Sequence, residues 1–392
     1  MIDQVASFWP QYSKEEGEAV KRVLMSNLVN YWTGSEVTSF EREFSEYFQV
    51  KYSVAVANGT LALEAALRAL EIKPGDEVVV SARSFIASAS SIVNVGAIPV
   101  FADIDRATQN ITASSIQAVL SPKTRAVVCV HLAGWPCDMD PIVDLCKSKA
   151  IFVVEDCAQA HGALYKGRNV GSLGDIAAWS FCQDKIITTG GEGGMVTTNS
   201  EELWDRVWSY KDHGKSRSAI FSSSVTHGYR WVHHSIGSNF RLTEMQAAIG
   251  RIQLKKLHDW GIKRRNNAER IWSLAEKSDL FRAPKHHCSS ICSSRSPCVH
   301  AAYNAYIFVN EDKISRDVIL EMLIDKKIPV RVGSCPEIYR ERAFRKQQYF
   351  VNYRLPVAEE LGRTSLMFPC HPALSDVEID HIIDSLESVA HP

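Results

Sequence analysis

The residues best placed to do chemistry lie in Trp179-Ser180-Phe181-Cys182-Gln183-Asp184-Lys185, which continues through Ile186-Ile187-Thr188-Thr189 into the glycine-rich run Gly190-Gly191-Glu192-Gly193-Gly194. A lysine between a short apolar strand and a glycine turn can be held by backbone on both sides, where its neighbours tune the amine toward nucleophilic work as a Schiff-base lysine. Taken alone, the same lysine is more simply a solvated loop residue. A second signal is Glu155-Asp156-Cys157-Ala158-Gln159, an acid that directly follows the apolar run from Ile151. A buried carboxylate needs a cationic partner, and the protonated ring nitrogen of a pyridine cofactor is one. A helix cap for Asp156 and a structural hydrogen bond for Gln159 are equally good readings in isolation. The third signal is Asn58-Gly59-Thr60, a glycine turn that opens a helical stretch with Leu63, Leu67 and Leu70 on one face. Free N–H groups at such a turn bind anions, which makes Gly59 and Thr60 candidates for a phosphate.

These three segments need a scaffold, and the patterning supplies one. Short apolar runs at 77–81, 98–103, 125–131, 151–155, 177–181 and 194–198 alternate with helical segments, the signature of a mostly parallel sheet covered on both faces. Ligands of such sheets bind at the carboxyl ends of the strands, which brings together Gly59-Thr60, Asp156 and the stretch from Ser180 to Lys185. Helices are expected over 14–29 and over SFEREFSEYF, with Tyr31 to Ser35 between them as a connector, and a long charged helix from Arg251 through AERIWSLAEK. Its basic residues read as a solvated face. The expected division is a large domain over 1–250 and a smaller α+β domain over 251–392.

Composition narrows the function classes. The chain has 392 residues, 45% hydrophobic and 23% charged, with 44 Lys and Arg against 45 Asp and Glu. That content builds a large core, and the balance of charge gives no nucleic-acid footprint. No apolar stretch is long enough for a membrane span and the first residues do not read as an export signal, so a soluble, cytoplasmic protein is expected. Cys129, Cys146, Cys157 and Cys182 sit in or beside apolar segments and read as buried, reduced thiols. Cys288, Cys292 and Cys298, with His286, His287 and His300, lack the paired CxxC spacing of structural zinc sites. That segment reads as a Ser-rich surface loop, and no metal is expected.

Together SFCQDKIITTGGEGG, VVEDCAQAHGA, NGTLALEAAL, GSNFRLTEMQAAIG and PVFADID resemble the DegT/DnrJ/EryC1/StrS sugar aminotransferases, in the family's order and over nearly the whole chain. The resemblance implies an α/β fold-type I aminotransferase with a mostly parallel seven-stranded sheet, a homodimer, and pyridoxal 5'-phosphate as cofactor. It places the Schiff-base lysine on Lys185 and the acid at the pyridine nitrogen on Asp156. Gln159 would stand near the cofactor's O3′, and Phe85, in Ser84-Phe85-Ile86-Ala87, would stack on its ring. Gly59, Thr60 and Ser180 would hold the phosphate, together with Asn239 contributed by the neighbouring subunit. The implied reaction moves an amino group from L-glutamate to a keto sugar, Lys185 acting first as the covalent anchor and then as the general base. The acceptor would be a nucleotide-linked keto-deoxy sugar for surface polysaccharide, or a free 8-keto acid of the Kdo type.

Departures from the family's commonest pattern are Trp135, where a smaller polar residue is usual, Asn58 in place of serine, and the insertion 286–300. Pro336 to Tyr339 and Phe368 to Pro372 resemble family segments near the active site. Dehydratases of the family carry histidine at the position of Lys185, which argues against that activity. A dehydrogenase reading of GGEGG fails because the run is not of GxGxxG form. A non-enzymatic regulator that keeps the fold stays open.

Overall fold

The computed structural model describes residues 5–221, 230–284, 297–345 and 353–390. Seven strands make the main sheet: β1 (Tyr52–Val56), β2 (Glu77–Ser81), β3 (Ile98–Ala102), β4 (Thr124–Val130), β5 (Phe152–Asp156), β8 (Ile176–Ser180) and β9 (Gly194–Thr198), with the two-stranded ribbon β6 (Leu164–Tyr165) and β7 (Arg168–Asn169) between β5 and β8 in the chain. Their order across the sheet is β1-β9-β8-β5-β4-β2-β3. Every pairing is parallel except those of β9, which runs against both β1 and β8. The six runs expected from the sequence are all strands of this sheet, their ends moved by no more than a residue. Val78, Val79 and Val80 in β2, and Val127 and Val128 in β4, are fully buried, because helices cover both faces of a parallel sheet. The fold-type I architecture expected from the resemblance is the one observed.

Three helices near the start of the chain set the site. Helix α1 (Lys14–Ser26) opens on a capping box between Ser13 and Glu16 and stops at Asn27, whose φ of 60° ends it short of the expected residue 29. Helix α2 (Glu36–Phe48) buries Val37, Phe40, Phe44 and Phe48. Phe44 meets Trp179 edge-on at 5.2 Å and Phe40 lies 5.3 Å from Phe181, so this aromatic seam pins the strand that leads to Lys185. Helix α3 (Gly59–Ala69) starts at the expected turn, with the Asn58 side chain accepting from Leu61 N–H at 3.0 Å.

A long helix, Glu244–Lys277, begins seven residues before the expected Arg251. Thr243 and Gln246 form a capping box there, a start signal hidden inside the family motif. The helix passes residue 250 without interruption and enters a second core built from Ile271, Trp272, Ile307, Leu323, Phe368 and Leu386 around the three-stranded antiparallel sheet β10 (Phe281–Arg282), β11 (Ala305–Val309) and β12 (Ser365–Phe368). No described helix is long and apolar enough to cross a membrane. Cys129, Cys146 and Cys157 are free and buried as expected, whereas Cys182 is only partly buried because it lies past the end of β8. His286, His287, Cys288 and Cys292 fall outside the described residues.

Candidate active site

Adjacent parallel strands β5 and β8 carry Asp156 and Ser180 to one edge of the sheet, and α3 starts beside them. Gly59 is required at that contact: a Cβ there would lie 2.6 Å from the Cβ of Ser180. The N–H groups of Gly59 and Thr60, at the first positions of α3, have no acceptor within the helix. With the Ser180 hydroxyl, whose oxygen accepts from Cys182 N–H at 3.3 Å and whose proton stays available, they form a small cradle of donors suited to a phosphate.

Asp156 is 5% exposed at the end of β5. Oδ2 accepts from the Ser88 hydroxyl at 2.7 Å and Oδ1 from Ala158 N–H at 3.2 Å. Burial lifts this carboxyl above its ordinary range, with Ser88, Ala158 and the charge of Lys185 pulling the other way. Among the described residues no lysine, arginine or histidine pairs with it. A buried acid that has hydrogen bonds but no direct ion pair is the group a pyridinium N–H would satisfy, so the residues present fit pyridoxal phosphate.

Gln159, also buried, accepts from Ala133 N–H at 2.7 Å through Oε1. The structural role weighed for it is therefore present, and its amide N–H groups remain as donors. Phe85 is 63% exposed although it leads into α4 (Ala87–Asn94), the helix that carries Ser88. An aromatic ring left in solvent, three residues before the serine that holds Asp156, is available for stacking. The segment 335–339 is tied to the same loop by Ser84 N–H to Cys335 O at 3.2 Å and Ile338 N–H to Ala82 O at 2.9 Å.

Lys185 follows β8 by a short turn. Its Nζ lies 3.2 Å from Asp184 Oδ2 and 3.4 Å from the Tyr303 hydroxyl, and its carbonyl accepts from Trp9 Nε1 at 2.7 Å. Thus Lys185, Asp156, Gln159, Ser180, Gly59, Thr60 and Phe85 all stand on the carboxyl-end loops of one sheet. Asn239 does not join them within one chain. It is exposed, its Oδ1 accepts weakly from Arg241 N–H at 3.4 Å, and its backbone pairs with Asp212.

Several residues of this neighbourhood escape local sequence reasoning. Ser88, Tyr303 and Trp9 are far from the motifs in sequence, and Glu155 hides beside Asp156. Glu155 is fully buried and accepts from His131 Nε2 at 2.9 Å and from the N–H groups of Gly171, Leu173 and Gly174 at 2.7–2.9 Å. Cys137 N–H donates to His131 Nδ1 at 3.0 Å, which fixes the ring as the Nε2–H tautomer. His131, Glu155 and Cys157 bring three ligand-type atoms within 4.8 Å. Those hydrogen bonds already engage the lone pairs a metal would need on His131 and Glu155, so the cluster is a buried polar brace beneath the site.

The sequence matches the DegT/DnrJ/EryC1/StrS aminotransferase family over residues 10–387. It is 36% identical to a GDP-perosamine synthase of Escherichia coli O157:H7 over 97% of this chain and 96% of that protein. It is 33% identical to a dTDP-3-amino-3,6-dideoxy-alpha-D-galactopyranose transaminase of Aneurinibacillus thermoaerophilus, over 96% and 95% respectively. Among solved structures, an aminotransferase from Psychrobacter cryohalolentis superposes with a TM-score of 0.95 at 52% identity, covering 98% of this chain and 100% of that one.

Proposed function

Because the chain belongs to the DegT/DnrJ/EryC1/StrS aminotransferase family and is a pyridoxal-phosphate-dependent sugar aminotransferase, we propose that it transfers an amino group from L-glutamate to a nucleotide-linked keto sugar destined for a bacterial surface polysaccharide. The observation that carries the reading is Asp156, a buried acid without a direct ion pair, on the same sheet edge as Lys185 and the Gly59–Ser180 cradle. The cofactor supplies an aldehyde that accepts amines and a ring that draws electrons from the adjoining carbon.

This chain's residues do the rest. Asp156 keeps its charge against burial by holding the proton of the ring nitrogen, with Ser88 fixing the carboxylate's orientation. Gly59 and Thr60 N–H groups and the Ser180 hydroxyl anchor the phosphate, and Phe85 covers one face of the ring. Gln159, its oxygen committed to Ala133, offers its amide N–H toward O3′. Lys185 is the covalent anchor, and once released its amine moves a proton between the two carbons that exchange the amino group. We place Asn239 in the site of a second copy of the chain, which makes the working unit a homodimer, and read the part beyond residue 250 as the domain that closes over the site.

The names of the relatives favour a nucleotide-linked acceptor, since GDP-, dTDP- and UDP-linked sugars all occur among them. The test is the visible absorption spectrum of purified protein supplied with pyridoxal phosphate, before and after L-glutamate, in the wild type and Lys185→Ala. A band from the cofactor–lysine linkage in the wild type alone, bleached by glutamate, is the expected outcome. A wild type that takes up no cofactor sinks the reading. Single turnovers with nucleotide-linked keto sugars and with an 8-keto sugar acid then decide the acceptor.

A further inference from the structure

We propose that Asp184 and Tyr303 form a resting cradle for the Nζ of Lys185 whenever that amine carries no covalent bond, and that Tyr303 is a positioning residue for the amino transfer. The inference rests on the reading of Lys185 as the covalent anchor. Nζ lies 3.2 Å from Asp184 Oδ2, 3.4 Å from the Tyr303 hydroxyl and 5.0 Å from the centroid of the Tyr303 ring. The Tyr303 hydroxyl donates to the same Oδ2 that receives the amine, so three groups close a triangle.

The members of this triangle have fixed roles. Burial raises the Asp184 carboxyl, but the Lys185 charge and the Tyr303 hydroxyl outweigh it and hold the group below its usual range, as an anion. Burial and the neighbouring Asp184 push the Tyr303 hydroxyl far up, so it remains a donor. Tyr303 itself is held by its main chain: its N–H donates to Ala133 O at 3.0 Å and its carbonyl accepts from Arg264 Nη1 at 3.2 Å. Ala133 is the residue whose N–H meets Gln159, so the turn that supports one cofactor contact also supports Tyr303.

A lysine amine on a flexible four-carbon stem loses rotamer freedom when it is fixed. A released amine with no partners samples that freedom, while proton transfer needs it within hydrogen-bond reach of the reacting carbon. Asp184 adjoins Lys185 in the chain, and Tyr303 fixes where Asp184 points. The pair therefore keeps the free amine in one place between the bond-breaking and bond-making steps.

Two nearly isosteric variants test this. In apoprotein, Lys185 is acylated with an amine-selective reagent and its modification is read by peptide mass spectrometry against exposed Lys14 as internal standard; this arm needs neither cofactor nor donor. Asp184→Asn removes the anion that competes for the amine, and acylation of Lys185 is expected to quicken about fivefold or more. In the loaded enzyme, Tyr303→Phe keeps the ring and removes the hydroxyl; the single-turnover rate with saturating L-glutamate is expected to fall about tenfold, with the half-saturating concentration changed less than twofold. Acylation at the wild-type rate in Asp184→Asn, or a rate constant within twofold of wild type in Tyr303→Phe, overturns the proposal. Either result with the cofactor–lysine band intact in wild type leaves the assignment of Lys185 standing, whereas a wild type without that band removes both.

Discussion

The hydroxyl of Ser88 donates to Oδ2 of Asp156 at 2.7 Å, and the oxygen of Ser84 stands 2.8 Å behind it. This short chain of hydroxyls links α4 to the end of β5 and fixes the carboxylate proposed to meet the cofactor's ring nitrogen. Replacing Ser88 by alanine leaves Ala158 N–H as the remaining donor to Asp156. Hydrogen bonds to charged groups contribute about 1.5–3 kcal/mol. The expected result is pyridoxal phosphate affinity weakened roughly 10- to 100-fold, read by titrating apoprotein and following tryptophan quenching, with Ser88→Thr recovering most of it. Equal affinity in Ser88→Ala and wild type refutes this role.

Gly59 leaves no room for a side chain, because its Cβ would meet the Cβ of Ser180 at 2.6 Å. Gly59→Ala forces α3 and β8 apart at the proposed phosphate cradle. Inorganic phosphate protects the wild type against thermal unfolding if the cradle is an anion site; the variant is expected to lose that protection while melting a few degrees lower. Identical protection in both proteins argues that the phosphate binds elsewhere.

His161 predicts a pH dependence. Burial first, and then the charges of Lys185 and Arg264, press its imidazole down to about 3 from an ordinary 6.5. In the unfolded chain the ring takes a proton as pH falls through 6.5, and in the folded protein it does not until about 3. The stabilising contribution is thus complete above 6.5 and is lost progressively between 6.5 and 3, at up to about 1.4 kcal/mol per pH unit. Urea unfolding at pH 7 and pH 5 is expected to show a smaller stability difference in His161→Phe than in wild type, by about 1–2 kcal/mol. An unchanged difference shows that His161 is protonated inside the fold.

Trp179 is fully buried, and its Nε1 donates to Thr197 Oγ1 at 3.0 Å across β8 and β9. The rings of Phe44, Phe48 and His161 lie 4.4–5.3 Å from it. Trp179→Ala is expected to cost about 3–5 kcal/mol, seen as a lower urea midpoint. A loss under 1 kcal/mol would mean that the seam collapses freely around the gap.

Much of this was legible in the chain itself. Apolar runs such as Val78 to Val80 announce strands because a doubly covered sheet leaves no polar alternation to confuse the period, and Asn58-Gly59-Thr60 announces a helix start because each residue has a local reason to be there. The start of the long helix at Glu244 is not legible locally, because its capping residues, Thr243 and Gln246, sit inside the family motif GSNFRLTEMQAAIG. Ser88, Tyr303 and Trp9 were not legible, since what makes them part of the site is tertiary contact. Ser88 meets an acid 68 positions away, and Tyr303 reaches Lys185 across 118. Asn239 marks a further limit: its expected role lies in another copy of the chain, and within one chain it touches none of the other candidates.

The 34-residue helix from Glu244 to Lys277 is a rod of roughly 50 Å. Near one end Gly250 is pressed so close to Phe40 and Thr189 that a Cβ would lie 2.7–2.8 Å from them; further along, Arg264 grips the carbonyl of Tyr303, and Ile271 and Trp272 belong to the second core. Such a rod acts as a lever. A tilt of one degree at one end moves the other by roughly 0.9 Å over that length. Thr189 follows Lys185 by four residues and the Tyr303 hydroxyl stands 3.4 Å from its amine, so the rod that carries Ile271 and Trp272 of the second core also touches the chain on both sides of Lys185.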